Sequence, residues 1–122
     1  MFCFHCFLAC ISCKTIQQQQ EVENTTDLSQ FNTVFKQGDT EYACFRIPAI
    51  VVANNGTILA FAEARKSSCS DTGDIDIVMK KSTNNGNSWS KLIVLFNDEN
   101  NVCGNPVPIV DKETGTIHLV TT

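Results

Sequence analysis

Residues 47–81 decide the fold, and they read IPAIVVANNGTILAFAEARKSSCSDTGDIDIVMKK. Short runs of β-branched and aromatic residues alternate there with Asn, Gly, Asp and Ser, which is typical of strands joined by turns. Together with the residues that follow, these runs predict four strands, at 47–53, 57–63, 74–81 and 91–96. The first two strands are joined by a tight turn in which Gly56 can adopt positive φ. The sequence therefore predicts an antiparallel meander.

A second, shorter set of strands follows the meander. Residues 106–110 and 116–120 are apolar runs joined by turn residues, and they predict the first hairpin of another such unit. A four-stranded meander that repeats after about 45 residues is typical of a β-propeller blade. The prediction is an all-β fold of about one and a half blades. Because one blade cannot bury both of its faces, we expect exposed apolar surface and an unpaired strand edge.

The topology also predicts a charged rim at one end of the meander. Alternate connections of an antiparallel sheet lie at opposite ends, so the turn near Gly56 and the connection at 82–89 share one end. Four charged residues then lie at the other end, namely Arg46, Glu63, Arg65 and Asp71.

Topology alone supports two interpretations of this rim equally. Pairing about a turn centred near Asn55 places Ile47 opposite Glu63, so Arg46 and Arg65 are near neighbours. Charges at strand ends are commonly a solvated ion-pair network that contributes little energy. Arg46, however, has an apolar neighbour on each side. We expect its guanidinium to be partly desolvated and therefore to need an anionic partner.

The first thirty residues differ in composition from the rest. Residues 1–16 are apolar and predict a secretory signal or anchor segment, and they hold four of the seven cysteines: Cys3, Cys6, Cys10 and Cys13. Paired Cys-x-x-Cys units are also a zinc signature, but three residues between the pairs leave little chain for a tetrahedral knuckle. We therefore favour the signal or anchor and predict no metal site. Residues 17–30 predict a polar linker, and 31–122 the folded domain.

Composition argues against one class of partner. The net charge is −4 and the isoelectric point is near 5.0, and no run of Lys or Arg is present that could bind a phosphate backbone. We expect no nucleic-acid binding. The two arginines of the chain, Arg46 and Arg65, both fall in one short segment that also holds several carboxylates. This concentration is a first indication of a functional site.

Four motifs resemble those of the sialidase family in order and spacing. They are the segments FRIP at 45–48, AFAEAR at 60–65, SDTGD at 70–74 and STNNGNSW at 82–89. The last resembles the Asp-box Ser-x-Asp-x-Gly-x-Thr-Trp, with Asn84 in place of Asp and Ser88 in place of Thr. We expect this box to be structural, with Asn84 accepting backbone N–H bonds, Gly86 in the left-handed conformation and Trp89 packed beneath the hairpin. The resemblance covers residues 35–120 and implies the N-terminal fragment of a six-bladed β-propeller.

The resemblance implies roles for the residues of the rim. Arg46 matches the first arginine of a triad that binds the carboxylate of sialic acid, and Asp71 matches the general acid/base that protonates the leaving glycosidic oxygen. Glu63 and Arg65 match residues lining the same pocket and are expected to bind substrate, by orienting the arginine and contacting the sugar. The family's nucleophile is a tyrosine paired with a glutamate. Tyr42, the one tyrosine, does not match it, so the chain is expected to hold no nucleophile and no cofactor.

The implied function is that of an exo-α-sialidase, a glycoside hydrolase that releases terminal sialic acid, with this chain as an N-terminal portion inactive in isolation. The alternative is a non-catalytic Asp-box propeller that binds sialoglycans or proteins, although the presence of both Arg46 and Asp71 disfavours the protein-binding form. The expected partners are sialylated glycoconjugates. Membrane association through residues 1–16 and a secreted or cell-surface location are expected as well.

Two smaller predictions concern aspartates and cysteines beside the motifs. Asp74 and Asp76 alternate with isoleucines, and strand-face alternation accounts for them adequately. Three cysteines lie outside the N-terminal segment, Cys44, Cys69 and Cys103, and one stays unpaired if two of them pair. Our guess at the pair is Cys69 with Cys103, which export would favour.

Overall fold

The computed structural model describes residues 31–122. The predicted signal or anchor at 1–16, with its four cysteines, and the predicted linker at 17–30 lie outside the described residues and stay predictions. Within 31–122, no helix has the length and apolar character needed to cross a membrane.

The described residues form six strands in two antiparallel sheets. The strands are β1 (Cys44–Val52), β2 (Ile58–Arg65), β3 (Ile75–Ser82), β4 (Ile93–Phe96), β5 (Val107–Val110) and β6 (Ile117–Val120). The first sheet has the order β1-β2-β3-β4, and β5 pairs with β6 in the second. The predicted all-β meander and the following hairpin are therefore confirmed. The turn between β1 and β2 contains Gly56 at φ 82°, as expected.

A β-bulge near the start of β1 changes the predicted register. From Val52 back to Ala49 the strands pair as the turn dictates, but Arg46 then lies opposite Glu63, so two residues of β1 oppose one of β2. The expected pairing of Ile47 with Glu63 is wrong by one residue. The bulged residues are Ile47, at φ 50°, and Pro48, which has no N–H to donate to the ladder. The bulge brings the Arg46 backbone directly beside that of Glu63.

The connection between β3 and β4 is closed by its own side chains. The Asn84 side-chain oxygen accepts the Ser88 N–H at 2.9 Å, and the Ser82 hydroxyl oxygen accepts the Gly86 N–H at 2.9 Å. Gly86 adopts φ 83°, and a Cβ on it would lie 3.9 Å from the Trp89 ring. The structural role expected for the Asp-box is confirmed in these contacts.

The core of the first sheet lies on one of its faces. Tyr42, Ala62, Ala64 and Val78 are buried there, and Phe35, Phe45 and Leu92 pack against them. The small alanines of β2 let the aromatic rings from outside the strand approach the sheet closely. On the opposite face, Phe61 and Met79 line an open groove of about 420 Å³ together with Ile117 and Leu119 of β6.

The chain after β4 ties the second sheet to the first. The Cys103 N–H donates to the Ile75 carbonyl at 2.8 Å, so this segment runs beside the start of β3. Gly104 exchanges two backbone hydrogen bonds with Thr122, at 2.8 and 3.0 Å. A Cβ at Gly104 would lie 3.0 Å from the Glu63 side-chain oxygen, so a side chain there would crowd this buried carboxylate. The two sheets therefore meet at the rim where β2 ends.

Candidate active site

The structure brings the four predicted rim residues together. The Asp71 carboxylate oxygen Oδ1 lies 2.7 Å from Nη1 of Arg46 and 2.8 Å from Nη1 of Arg65. Arg65 also pairs with Glu63. Two arginines and two carboxylates thus form one connected cluster, made by the start of β1, the end of β2 and the loop at 66–74. The convergence expected from the meander topology is present.

The two outer members of the cluster are open to solvent. The side chains of Arg46 and Asp71 are 43% and 76% exposed. Arg46 is therefore partly desolvated, as expected, since more than half of its side-chain surface is covered. Its sequence neighbours Phe45 and Pro48 line a small pocket with it, whereas the bulge leaves Ile47 exposed. Asp71 supplies the anionic partner that we expected the Arg46 guanidinium to need.

The two inner members are buried and fully hydrogen-bonded. The side chains of Arg65 and Glu63 are 3% and 5% exposed. Arg65 Nε donates to Glu63 Oε2 at 3.1 Å, and Glu63 Oε1 accepts the Asn105 N–H at 2.9 Å. Desolvation alone would lower the pKa of Arg65, but the hydrogen bonds to Glu63 and Asp71 outweigh it and raise that pKa. Arg65 therefore stays charged, and removing either buried partner would typically cost about 3–5 kcal/mol.

Arg65 also holds the loop that carries Asp71. Its Nη1 donates to the carbonyls of Cys69 at 2.7 Å and Ser70 at 2.6 Å. Arg46 Nη1 donates to the same Cys69 carbonyl at 3.3 Å. At the neck of the loop, the Lys66 ammonium donates to the Asp74 carboxylate at 3.0 Å. The loop conformation therefore depends on guanidinium donors aimed at its backbone oxygens.

The arginines set the protonation state of Asp71. The hydrogen bond from Arg65 and the positive charge of Arg46 hold the pKa of Asp71 below its usual range. Asp71 is therefore ionised at neutral pH in the described structure. A carboxylate in this state accepts protons and hydrogen bonds, and it donates a proton only after a change in its surroundings raises its pKa.

A disulfide joins the loop to β1. Cys44 is bonded to Cys69, and Cys103 is a free thiol among the described residues. The guess of a Cys69–Cys103 pair is wrong. Cys103 instead runs beside Ile75 of β3, whereas Cys69 lies on the loop that folds back over the start of β1. Because the bulge and the loop are both irregular, sequence spacing alone could not bring Cys44 and Cys69 together.

A buried tyrosine–aspartate pair was missed by the sequence analysis. The Tyr42 hydroxyl donates to Asp76 Oδ2, and the Asn97 side-chain amide donates to Asp76 Oδ1 at 2.8 Å. Asp76 is 1% exposed, so its assignment to strand-face alternation is wrong, whereas Asp74 remains partly exposed and pairs with Lys66. No local signal predicts this pair, because its members are 34 residues apart.

The surroundings of Tyr42 oppose a nucleophilic role. Burial, reinforced by the hydrogen bond to Asp76, raises the pKa of Tyr42 above its ordinary value. A tyrosine nucleophile requires a lowered pKa or an adjacent base that can reach solvent and substrate, whereas Tyr42 is 3% exposed. Within residues 31–122, no group of three or more His, Cys, Asp or Glu side chains is arranged to hold a metal ion.

The chain is similar in sequence and in fold to several known proteins. The chain matches no family model. It is 45% identical over 76 residues to an exo-alpha-sialidase of Arthroderma benhamiae, covering 57% of this chain and 19% of that protein. An exo-alpha-sialidase of Aspergillus fumigatus is 43% identical over 81 residues, covering 62% of this chain and 20% of that protein. A solved structure, Hadza microbial sialidase Hz136, superposes with a TM-score of 0.61 at 30% identity, covering 66% of this chain and 17% of the other.

Fold and rim together define a class of protein, the β-propeller whose blade ends carry an arginine–carboxylate site. The relatives indicate a family within this class, because both fungal proteins and the solved structure are named sialidases. The chain belongs to the sialidase family, and its strands are those of a six-bladed β-propeller. It spans about a fifth of the length of the curated relatives it matches.

Proposed function

We propose that this chain supplies part of the active site of an exo-α-sialidase, which hydrolyses terminal sialic acid from glycoconjugates. The proposal rests on one observation, the exposed ion pair between Arg46 and Asp71. Arg46 Nη1 lies 2.7 Å from Asp71 Oδ1, and the buried Glu63–Arg65 pair lies behind them. An exposed cation–carboxylate pair alone is common on protein surfaces. A second, buried ion pair that holds the first in place costs desolvation energy. A network of solvated surface charges does not need such a pair.

Arg46 is proposed to bind the substrate carboxylate. Arginine suits this role because its planar fork donates two parallel hydrogen bonds to a carboxylate and stays charged at any working pH. In the described structure Arg46 already donates to a carboxylate, that of Asp71, and its side chain is open enough to reach a ligand. The carboxylate of a sialoside would therefore compete with Asp71 for the same guanidinium.

Asp71 is proposed to act as the general acid/base. It would donate a proton to the leaving glycosidic oxygen and later take one from the attacking water. Its lowered pKa in the free state does not suit a proton donor. A substrate carboxylate bound to Arg46 would neutralise one of the two positive charges that lower this pKa, and the pKa of Asp71 would rise as substrate binds.

Glu63 and Arg65 are proposed to position the site from behind it. Every nitrogen of the Arg65 guanidinium donates to protein oxygens, and little of the side chain reaches solvent. This environment supports the orienting part of their predicted role. A direct contact of either side chain with the sugar stays a prediction.

A non-catalytic sialoglycan-binding propeller is the second candidate. The half-exposed guanidinium of Arg46 could bind a carboxylate whether or not catalysis follows. Such a protein would use Arg46 to bind sialosides without releasing sialic acid.

We also propose an oxidising compartment, outside the cell or on its surface. The Cys44–Cys69 disulfide supports it, because disulfides persist mainly in exported proteins. The apolar composition of residues 1–16 supports export as well, and with it membrane association through that segment.

The experiment that tests the proposed function replaces the acid without changing its shape. In a full-length form that supplies the rest of the active site, Asp71→Asn should lower kcat/KM on natural sialosides, which have poor leaving groups, by about 10²–10⁴-fold. Activated aryl sialosides should lose much less, because their leaving groups need little protonation. Asp39→Asn, at an exposed aspartate before β1, is the matched control and should change neither rate.

The same experiment includes a variant of Arg46, the clamp residue that is proposed to bind the substrate carboxylate. Arg46→Lys keeps the charge but loses the bidentate fork, so it should raise KM on both kinds of substrate. Equal losses on the two substrates in Asp71→Asn would contradict the acid role, and an unchanged KM in Arg46→Lys would contradict the clamp. Sialoside binding by the full-length form without release of sialic acid would instead support the second candidate.

A further inference from the structure

We propose that the Cys44–Cys69 disulfide is a positioning element that keeps Asp71 aimed at the substrate while Arg46 is occupied by the substrate carboxylate. The proposal rests on the proposed sialidase function and extends it to a pair of residues outside the charged cluster. It treats the two cysteines as positioning residues, since neither would touch the reacting atoms.

The disulfide lies between the two outer site residues. Cys44 precedes Arg46 by two positions on β1 and is paired across the sheet with Arg65 of β2. Cys69 precedes Asp71 by two positions on the loop. The bond therefore links the strand that carries the proposed clamp to the loop that carries the proposed acid, close to both side chains.

The other attachments of the loop tip depend on the arginines. The Cys69 carbonyl accepts from both Arg46 and Arg65, and the Ser70 carbonyl accepts from Arg65. Asp71 itself is 76% exposed and is held by the same two guanidinium groups. The remaining side-chain bonds in the tip are local, such as the one between Ser70 and Thr72.

Substrate binding would weaken these attachments. An incoming carboxylate takes donors of Arg46 that otherwise bind Asp71 and the Cys69 carbonyl. A loop held only by guanidinium donors would loosen at the moment when Asp71 must transfer a proton. The disulfide is unaffected by this competition, because a covalent bond does not exchange with an anion. It therefore keeps the distance between the acid and the clamp fixed through the catalytic cycle.

Loss of the disulfide should therefore affect proton transfer more than substrate binding. Arg46 lies on a paired strand and keeps its place without the bond. Asp71 would be misplaced for part of the time, and misplacement of a catalytic group by about 1 Å can cost up to roughly 10²-fold in rate. The leaving-group dependence separates this role from a general loss of stability, which would lower activity on all substrates together.

The test compares a full-length form, which supplies the rest of the active site, with its Cys44→Ser/Cys69→Ser double variant. We expect kcat on natural sialosides to fall about tenfold or more, with KM and the rate on activated aryl sialosides changed less than twofold. Cys103→Ser, which removes the free thiol without touching the loop, is the matched control and should behave as the unaltered protein. Equal losses on both substrates, or no loss on either, would overturn the positioning role.

Reversible reduction of the Cys44–Cys69 disulfide provides a second test of the proposal. A dithiol reagent would transfer two electrons and two protons to the Cys44–Cys69 bond and become a cyclic disulfide, leaving two thiols on the protein. Cys69 is exposed, so the bond is within reach of the reagent. Reduction should reproduce the kinetic pattern of the double variant, reoxidation should reverse it, and the double variant itself should not respond. A response of the double variant would assign the effect to other cysteines and overturn the proposal.

Hydrogen exchange makes the inference testable apart from catalysis. Without the bond, amides at 66–74 should exchange at least several-fold faster than in the unaltered chain, whereas those of β2 and β3 should not change. A sialoside carboxylate that binds Arg46 should increase this difference. Absence of sialidase activity in the full-length form would contradict the proposed function, whereas unchanged loop exchange in the double variant would contradict the disulfide's role.

Discussion

At the scale of single residues, Tyr42 and Asp76 form a buried, hydrogen-bonded polar pair outside the rim. The Tyr42 hydroxyl donates to Asp76 in a site that is almost closed to water. Burial and the neighbouring negative charges both disfavour the phenolate and raise the pKa of Tyr42. Since a buried aspartate without its donors would be expensive, the pair fixes the segment before β1 onto β3. That segment leads directly to Arg46.

The raised pKa predicts how this contact depends on pH. Because the folded pKa of Tyr42 lies above the unfolded value of about 10, the contact stabilises the fold fully below that pH. The contribution is lost as pH rises from about 10 through the folded pKa. Tyr42 is the one tyrosine of the chain, so phenolate absorbance reports it directly. Its titration midpoint should lie above 10 in the folded chain and return to about 10 in denaturant.

An aspartate substitution identifies the cause of the shift. Asp76→Asn should move the titration midpoint of Tyr42 downward, because it removes the charge that the phenolate would face. Glu99→Gln, at an exposed carboxylate outside this site, is the control and should leave the midpoint in place. Identical midpoints in the folded and denatured chains would show that the pair does not form in solution.

The sequence predicted the positions of the rim residues but not the extent of their exposure or the buried pair beside them. The convergence of Arg46, Glu63, Arg65 and Asp71 follows from strand alternation and loop order, because the ends of a meander are determined by its turns. The extent to which Arg46 is exposed could not be predicted, since it depends on how the bulge directs the chain. The Tyr42–Asp76 pair also escaped prediction, because it depends on packing between distant segments and has no periodic signal.

At the scale of elements, the β3–β4 connection determines how the outer strand of the meander returns. Its Asn84 side chain accepts the Ser88 N–H and the Ser82 hydroxyl, each at 2.9 Å, and donates to the Ser88 hydroxyl at the same distance. These bonds replace the backbone ladder where the chain turns. The connection lies at the end of the sheet opposite the rim, so its contribution is to stability.

Asn84→Ala should therefore lower the free energy of unfolding by about 1–3 kcal/mol, since it removes an acceptor for two donors. Asn84→Asp should cost less, because it keeps the acceptor oxygen that the Asp-box normally supplies. Asn87→Ala, in the same turn but without a side-chain bond of this kind, should change the free energy by less than about 0.5 kcal/mol. Denaturant unfolding measures all three. A loss in Asn87→Ala as large as that in Asn84→Ala would rule out this explanation.

The elements show where sequence periodicity succeeds and where it fails. Runs of β-branched residues located all six strands to within a few residues, because apolar alternation is a local property. The bulge at Ile47 and Pro48 was not predicted, and it shifted the register of the strand end that carries Arg46. Proline has no donor for a ladder and is found at bulges, so Pro48 was the available signal.

At the scale of the whole molecule, the two faces of the first sheet have different surroundings. One face looks toward the β5–β6 hairpin across the open groove of about 420 Å³. The other carries the core, and Phe35, Phe45 and Leu92 cover only part of it. The pairing of Ile50 with Ala60 and of Val78 with Val94 places these residues on the other face, with the core alanines of β2. Ile50 and Val94 are 60% and 45% exposed. Stacked propeller blades normally bury both faces, and within 31–122 this second face has no neighbouring sheet.

The exposed part of this second face, around Ile50 and Val94, should govern how the 122-residue chain behaves in solution. Contiguous exposed apolar surface binds hydrophobic dyes and promotes association. Ile50→Thr combined with Val94→Thr keeps β-propensity while adding a hydroxyl on each strand, so dye fluorescence and the associated fraction in sedimentation velocity should both fall at least about twofold. Lys81→Thr combined with His118→Thr, at exposed polar strand positions, is the matched control and should change neither quantity. If both pairs behave alike, the association does not arise from this face, and the groove beside β6 becomes the surface responsible.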